Sequence, residues 1–200
     1  MDENPRIDAK VRSRPCVGIL EHRSIARGIE VADAVLKEAS VEMLFSEPVH
    51  PGKYVSLFTG EVEDVRSALR RGAEAAGEDL LDETFIPDLH AEVRPAIAAT
   101  GPEGPLDALG VIETFTVASA VLAADRAAKR ADVRLIRLRL ANGLGGKCTV
   151  TLTGEVSDVR AAVEAGAKAA SERHLLVRDV VIPRPHADLA RYLGWTGRGP

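Results

Sequence analysis

The sequence predicts an α+β protein made of two tandem copies of one β-α-β-β-α-β module, and three observations carry that prediction. The chain repeats itself in order over most of its length, each copy alternates short apolar runs with helical periods, and a glycine- and proline-rich segment separates the copies. Val17-Gly18-Ile19-Leu20-Glu21 sets over Leu109-Gly110-Val111-Ile112-Glu113 at an offset of 92, which also pairs Ala26 with Ala118, Asp33 with Asp125, Lys37 with Lys129 and Val41 with Val133. Thr59-Gly60-Glu61-Val62 recurs as Thr153-Gly154-Glu155-Val156 at an offset of 94, and Ile86-Pro87 and His90 recur as Ile182-Pro183 and His186 at 96. The second copy is therefore longer by two short insertions. A period near 92 residues is too long for a solenoid unit and suits a small complete domain.

Each copy opens with an apolar run, Cys16 to Leu20 or Leu109 to Ile112, that reads as a strand buried on both faces. A helix follows over Ile25 to Ala39, with Ser24 as N-cap and Ile25, Ile29, Ala32, Val35 and Leu36 as its apolar face; its counterpart is Val117 to Ala131 behind Thr116. Val41 to Phe45 and Tyr54 to Phe58 read as a hairpin with a long tip, Pro48-Val49-His50-Pro51-Gly52. In the second copy Val133 to Leu140 and Cys148 to Leu152 flank Ala141-Asn142-Gly143-Leu144-Gly145-Gly146. Alanine-rich helices over Val62 to Ala76 and Val156 to Ala170 carry acidic residues in the first turn, where the helix dipole favours them. A last apolar run, Leu80 to Ile86 or Leu175 to Ile182, supplies the fourth strand before a proline. This order is the split βαβ, ferredoxin-like arrangement, in which one antiparallel sheet is covered by helices. The expected divisions are a tail over 1–15, a first domain over 16–99, a linker over 100–107, a second domain over 108–193 and a tail over 194–200.

Composition narrows the function classes. Hydrophobic residues make up 46% of the chain and charged ones 28%, with 26 basic against 30 acidic side chains, so neither wholesale disorder nor a polyanion-binding surface is indicated. The few aromatics are not interleaved with basic residues, which argues against nucleic acid as a partner. No apolar run approaches membrane-spanning length and no signal-peptide stretch is evident, so a cytoplasmic location is expected. Cys16 and Cys148 have neither disulfide-framework nor zinc spacing. No histidine stands in a nucleophile or metalloprotease motif, so the chain reads as a non-enzyme.

The Gly-Val-Ile-Glu opening, the Ala123-to-Lys129 helix end, the glycine-rich tip, Thr-Gly-Glu-Val and Ile182-Pro183-Arg184-Pro185-His186 together resemble the shell proteins of bacterial microcompartments. The tandem arrangement resembles their trimeric two-domain class. Pro51-Gly52-Lys53-Tyr54 and Gly143 to Cys148 are most similar to the T subtype of propanediol-utilisation shells. The resemblance spans about residues 16 to 190. It implies a homotrimeric, pseudo-hexameric tile that packs edge to edge with other shell hexamers, trimers and pentamers and passes small metabolites through a central pore. That subtype carries a cysteine before Pro-Gly-Lys, three of which hold an iron–sulfur cluster at the axis. Here the position is His50, and Cys148 matches a strand cysteine, so no cofactor is expected.

The resemblance places His50, Pro51, Gly52, Leu144, Gly145 and Gly146 around the opening and Lys37, Lys129, Arg184 and His186 at the tile edges. His50 has three readings: a tip residue that sizes a hole, a tuner of pore charge near pH 6, or a metal ligand in a ring of imidazoles. The last would make the tile a metal or redox relay, and a ligand-binding regulatory trimer on the same modules is a further alternative. The lysines equally suit helix C-termini as dipole partners. The first copy has Pro87-Asp88-Leu89-His90 in place of the Pro-Arg-Pro-His turn, so the edges should be unequal. The run Asn142 to Gly146 could form a phosphate-binding nest, but it joins two antiparallel strands without a following helix, which fits no nucleotide motif.

Overall fold

The computed structural model describes residues 16–98 and 106–193; the expected tails, and most of the expected linker, lie outside the described residues. The first module runs β1 (Cys16–His22), α1 (Ile25–Glu38), β2 (Val41–Val49), β3 (Lys53–Gly60), α2 (Val62–Ala76) and β4 (Leu80–Ile86), then a short α3 (Val93–Ile97). The second runs β5 (Ala108–Thr114), α4 (Val117–Arg130), β6 (Arg134–Arg139), β7 (Cys148–Gly154), α5 (Val156–Ser171) and β8 (Leu176–Ile182), then a 3-10 turn over Ala187–Tyr192. Each sheet is antiparallel, ordered β2-β3-β1-β4 and β6-β7-β5-β8, as a split βαβ requires: the first strand sits between the third and the fourth.

Local chemistry explains the helix starts. The Ser24 hydroxyl accepts the Arg27 N–H at 3.3 Å and Thr116 accepts that of Ser119 at 3.2 Å, satisfying donors that the first helical turn leaves open. α2 instead starts with Glu63 and Asp64, which complement the dipole. Small residues then let the paired helices close on each other. A Cβ on Gly166 would lie 2.7 Å from the Ala123 carbonyl oxygen, so α4 and α5 can approach as they do only because that atom is missing.

Strand alternation divides β1 between two cores. Cys16 and Leu20 point with Phe58 toward α1 and α2, while Val17 and Ile19 point the other way with Val55, Leu57 and Ile86. The second face is not open to water: α4, with Val117, Val121, Ala124 and Ala128, lies in the same buried cluster. One hydrophobic core is thus shared by both modules.

Two expectations need correction. Ile25, Ile29 and Leu36 do not face the core of their own module; α1 buries Gly28, Val31, Ala32 and Val35 instead, and the three large residues are 38%, 56% and 52% exposed. A broad apolar stripe cannot say which of its edges meets the sheet. The first hairpin tip is also shorter than expected, because β2 continues through Pro48 to Val49, paired with Lys53, and leaves only residues 50–52 in the turn. Pro48 is tolerated because β2 is an edge strand.

Candidate functional site: the module joint and the hairpin tips

The joint is built where the N-terminus of α4 meets the outer face of the first sheet. Glu21, at the end of β1 and fully buried, accepts the backbone N–H of Val117 at 2.6 Å and of Ala118 at 3.4 Å, the open donors of α4. Its other oxygen pairs with Lys53 Nζ at 2.9 Å. Lys53 also donates to the carbonyls of Phe115 at 3.0 Å and Gly146 at 3.4 Å. Burial pushes the Glu21 carboxyl up, and the Lys53 ammonium with the two backbone N–H groups opposes that shift. One carboxylate and one ammonium thus bond residues of both modules.

A second polar cluster lies on β4. Asp82 Oδ2 accepts the Thr116 hydroxyl at 2.5 Å and the Ser119 hydroxyl at 3.2 Å, and Oδ1 pairs with Arg173, from the turn between α5 and β8. Arg173 donates further to Thr84 Oγ1 at 2.5 Å and the Glu83 carbonyl at 2.6 Å. Beyond β4, the His90 N–H donates to Asp125 of α4 at 2.9 Å, while Lys129 pairs with Asp125 and donates to the Asp88 carbonyl. Glu92 accepts the N–H of Leu135 at 2.6 Å.

The hairpin tips of the two modules meet beside this joint. Asn142 Oδ1 accepts the His50 N–H at 3.3 Å and lies 3.2 Å from its Nδ1. The His50–Pro51 peptide is cis, and Gly52 has a positive φ of 105°. Gly146, at φ 86°, approaches so closely that a Cβ there would sit 2.7 Å from Pro51 Cδ. His50, Pro51 and Gly146 are therefore neighbours, whereas Cβ atoms on Gly52 and Gly145 would meet nothing. Neither cysteine reaches a tip: Cys16 and Cys148 are buried at the first residues of β1 and β7, and burial pushes the Cys148 thiol up to about 12.

The four edge candidates divide. Lys129 is tied down at the joint, but its counterpart Lys37 is 74% exposed and, among the described residues, pairs with Asp33 alone, at 2.6 Å. Arg184 and His186 are exposed, with His186 Nδ1 accepting the Asp188 N–H at 3.2 Å. The sequence alone marks Glu21 and Glu113 as equivalent strand ends, which reads as repeated packing, and Lys53 as part of the tip motif, but singles out neither Asp82 nor Arg173. The Glu21–Lys53 pair is foreshadowed by the repeat, since Glu113 and Lys147 match it and also pair, at 3.1 Å.

Two split-βαβ modules in tandem, locked through a shared core and capped helix, define the class: this is a tandem-domain shell protein of bacterial microcompartments, a structural component and not an enzyme. The chain belongs to the BMC domain family, whose pattern matches residues 16–89 and 108–185. It is 43% identical over 177 residues to the microcompartment shell protein PduT of Citrobacter freundii, covering 88% of this chain and 96% of that one. The shell protein EutM of Salmonella typhimurium is 42% identical over 84 residues, 42% of this chain and 85% of its own length. A microcompartment protein of Desulfitobacterium hafniense, known from its crystal structure, superposes with a TM-score of 0.79 at 47% identity, covering 90% of this chain and 99% of that one. No helix among the described residues is long and apolar enough to cross a membrane.

Proposed function

We propose that three copies close head to tail into a pseudo-hexameric tile of a microcompartment facet, with the hairpin tips around a central opening for small metabolites. One observation carries this reading: the two modules meet through unlike surfaces, the outer face of the first sheet against the α4 side of the second. Such a heterologous contact leaves one unsatisfied surface of each kind at the ends of the chain and generates a ring when the rotation closes. The single-module length of EutM is consistent with a chain that fuses two positions of such a ring. His50 to Gly52 and Leu144 to Gly146 would then alternate around the axis. Selectivity would come from diameter and weak polar contacts, because flux requires release as well as entry. Lys37, Lys129, Arg184 and His186, at the rim of the joints between modules, would border the unequal edges that face other shell hexamers, trimers and pentamers.

The tips offer imidazole and amide groups and no thiolate, so these residues do not fit an iron–sulfur cluster, whose irons take cysteine sulfur. Absolute mass by light scattering, with metal analysis on the same peak, tests the proposal. A colourless species of three chain masses is expected; a monomer or dimer sinks the ring. A trimer with stoichiometric metal would make His50 a ligand and the tile a relay, and tight saturable uptake of a small molecule would favour a regulatory trimer.

A further inference from the structure

The joint inside the chain is a template for the joint between chains, and the two ends of the chain carry its parts with one change of sign. On the outer face of the first sheet, β1 and β4 present Val17, Ile19, Glu21, Asp82 and Thr84, covered by α4 and by Arg173. The matching positions on the second sheet, fixed by the β5–β8 register, are Leu109, Val111, Glu113, Arg178 and Val180. Among the described residues nothing from the first module covers that face: Leu109 packs with Leu106, Leu189 and Leu193 of its own module, while Val180 is 39% exposed, Arg178 is exposed and Glu113 is partly so.

The complementary surface lies at the other end of the chain. Ile25 and Ile29 on α1 correspond to Val117 and Val121 on α4, which are 2% and 0% exposed. The turn between α2 and β4 carries Glu78 and Asp79 where the turn between α5 and β8 carries Glu172, which pairs with the exposed Lys168 at 3.8 Å, and Arg173, so the sign changes at the second position. The pair Glu113–Lys147 repeats Glu21–Lys53 unchanged. The sheet-edge acid Asp82 has become Arg178, and the turn base Arg173 has become an acidic turn. Arg27, which replaces Ser119 near this site, is already held by Glu30 at 2.6 Å and Asp79 at 3.6 Å, and the exposed Arg23 adjoins the turn through its N–H to the Asp79 carbonyl at 2.9 Å. Glu30, Glu78 and Asp79 against these two arginines leave the surface facing Arg178 negative by one charge.

We infer that the chain-to-chain joint is a charge-reversed copy of the internal one, in which Arg178 of one copy meets the Glu78–Asp79 turn of the next and Glu113 accepts the open N–H groups at the start of that copy's α1. This rests on the ring reading and adds what orders the ring. Within each chain the outer face of the first sheet and α4 already cover each other, so the surfaces left for a neighbour are the second sheet's face and α1, and the opposite charges of Arg178 and the Glu78–Asp79 turn bring those two together.

The test is a charge swap on the full-length chain, read as dissociation of the trimer with dilution by sedimentation velocity, with circular dichroism as the fold control. Arg178→Glu should raise the dissociation constant roughly 30-fold or more, and Glu78→Arg with Asp79→Asn should act in the same direction. Combining the three substitutions should bring association back to within roughly threefold of the original. An Arg178→Glu chain that associates normally, or a combined variant no better than the weaker parent, overturns the inference while leaving the trimer standing. A wild-type chain that is monomeric removes the ring itself, and this joint with it.

Discussion

α1 and α4 are the same helix written twice, yet they live in different surroundings. Val121 on α4 is fully buried, and its counterpart Ile29 on α1 is 56% exposed; Ala128 is 8% exposed and Leu36 52%. The residue types run opposite to what burial alone would select, since the larger apolar side chains sit on the exposed helix. A helix rich in alanine packs closely against the sheet that covers it, whereas Ile25, Ile29 and Leu36 would suit a surface that gains contact area on association in the proposed ring. What a repeated element buries depends on which module covers it, and the two copies have diverged accordingly.

The largest effect expected from breaking this difference is at Glu21. Glu21→Ala leaves the Lys53 ammonium and the N-terminus of α4 without their buried acceptor, and should cost about 3–5 kcal/mol in urea unfolding. The matching Glu113→Ala, measured in solutions dilute enough to hold single chains, should cost less than about 1 kcal/mol, because the Glu113–Lys147 pair is partly solvated. Equal losses at the two sites would mean that the internal joint contributes no more than a surface pair.

A second contrast sits one residue further on. The first copy has His22 where the second has Thr114; both are fully buried, but both ring nitrogens of His22 lack a hydrogen-bond partner among the described residues, whereas the Thr114 hydroxyl donates to the Thr116 carbonyl at 2.9 Å. Burial lowers the His22 pKa to about 4. The unfolded chain therefore takes up the proton first as pH falls. Stability is intact above about 6.5, the unfolded value, and is lost progressively down to about 4, by an amount on the order of 3 kcal/mol. His22→Thr should abolish that part of the pH dependence, seen as a smaller loss of Tm between pH 7 and pH 4 than in the original chain. Parallel Tm profiles would rule out His22 as a buried neutral base.

The hairpin tips sharpen the comparison at smaller scale. Gly146→Ala must displace Pro51 and also holds a positive φ, so it should cost about 1–3 kcal/mol; Gly145→Ala meets no atom and should cost only the backbone strain, about 1 kcal/mol. Thermal unfolding of the two variants side by side distinguishes them.

Much of this was legible beforehand, for identifiable reasons. The repeat, the element order and the bounds of α2 and β4 follow from periodicities that depend on neighbouring residues alone. The exposure of Ile25 and the burial of Asp82 were not legible, because both depend on the other module and no local pattern encodes that. Asp82 looks like an ordinary edge-strand acid until Thr116, Ser119 and Arg173 are brought over it. Pro48 misled for the opposite reason: it reads as a turn, yet an edge strand leaves it no ladder donor to lose.

The smallest effect is expected at the paired lysines, and it separates folding from assembly. Lys129→Ala removes the cation that ties the buried Asp125 to the Asp88 carbonyl, and should lower the stability of the single chain by about 1–2 kcal/mol. Lys37→Ala removes only an exposed i,i+4 pair with Asp33 and should change it by less than about 0.5 kcal/mol. In the proposed ring, however, Lys37 and Asp33 of the next copy occupy the places of Lys129 and Asp125, opposite the Arg184–His186 turn that corresponds to Asp88–His90. Lys37→Ala should then weaken association in a dilution series while leaving the unfolding curve of the isolated chain in place. If the unfolding curve moves and association does not, Lys37 serves its own helix and the correspondence between the two joints fails at this position.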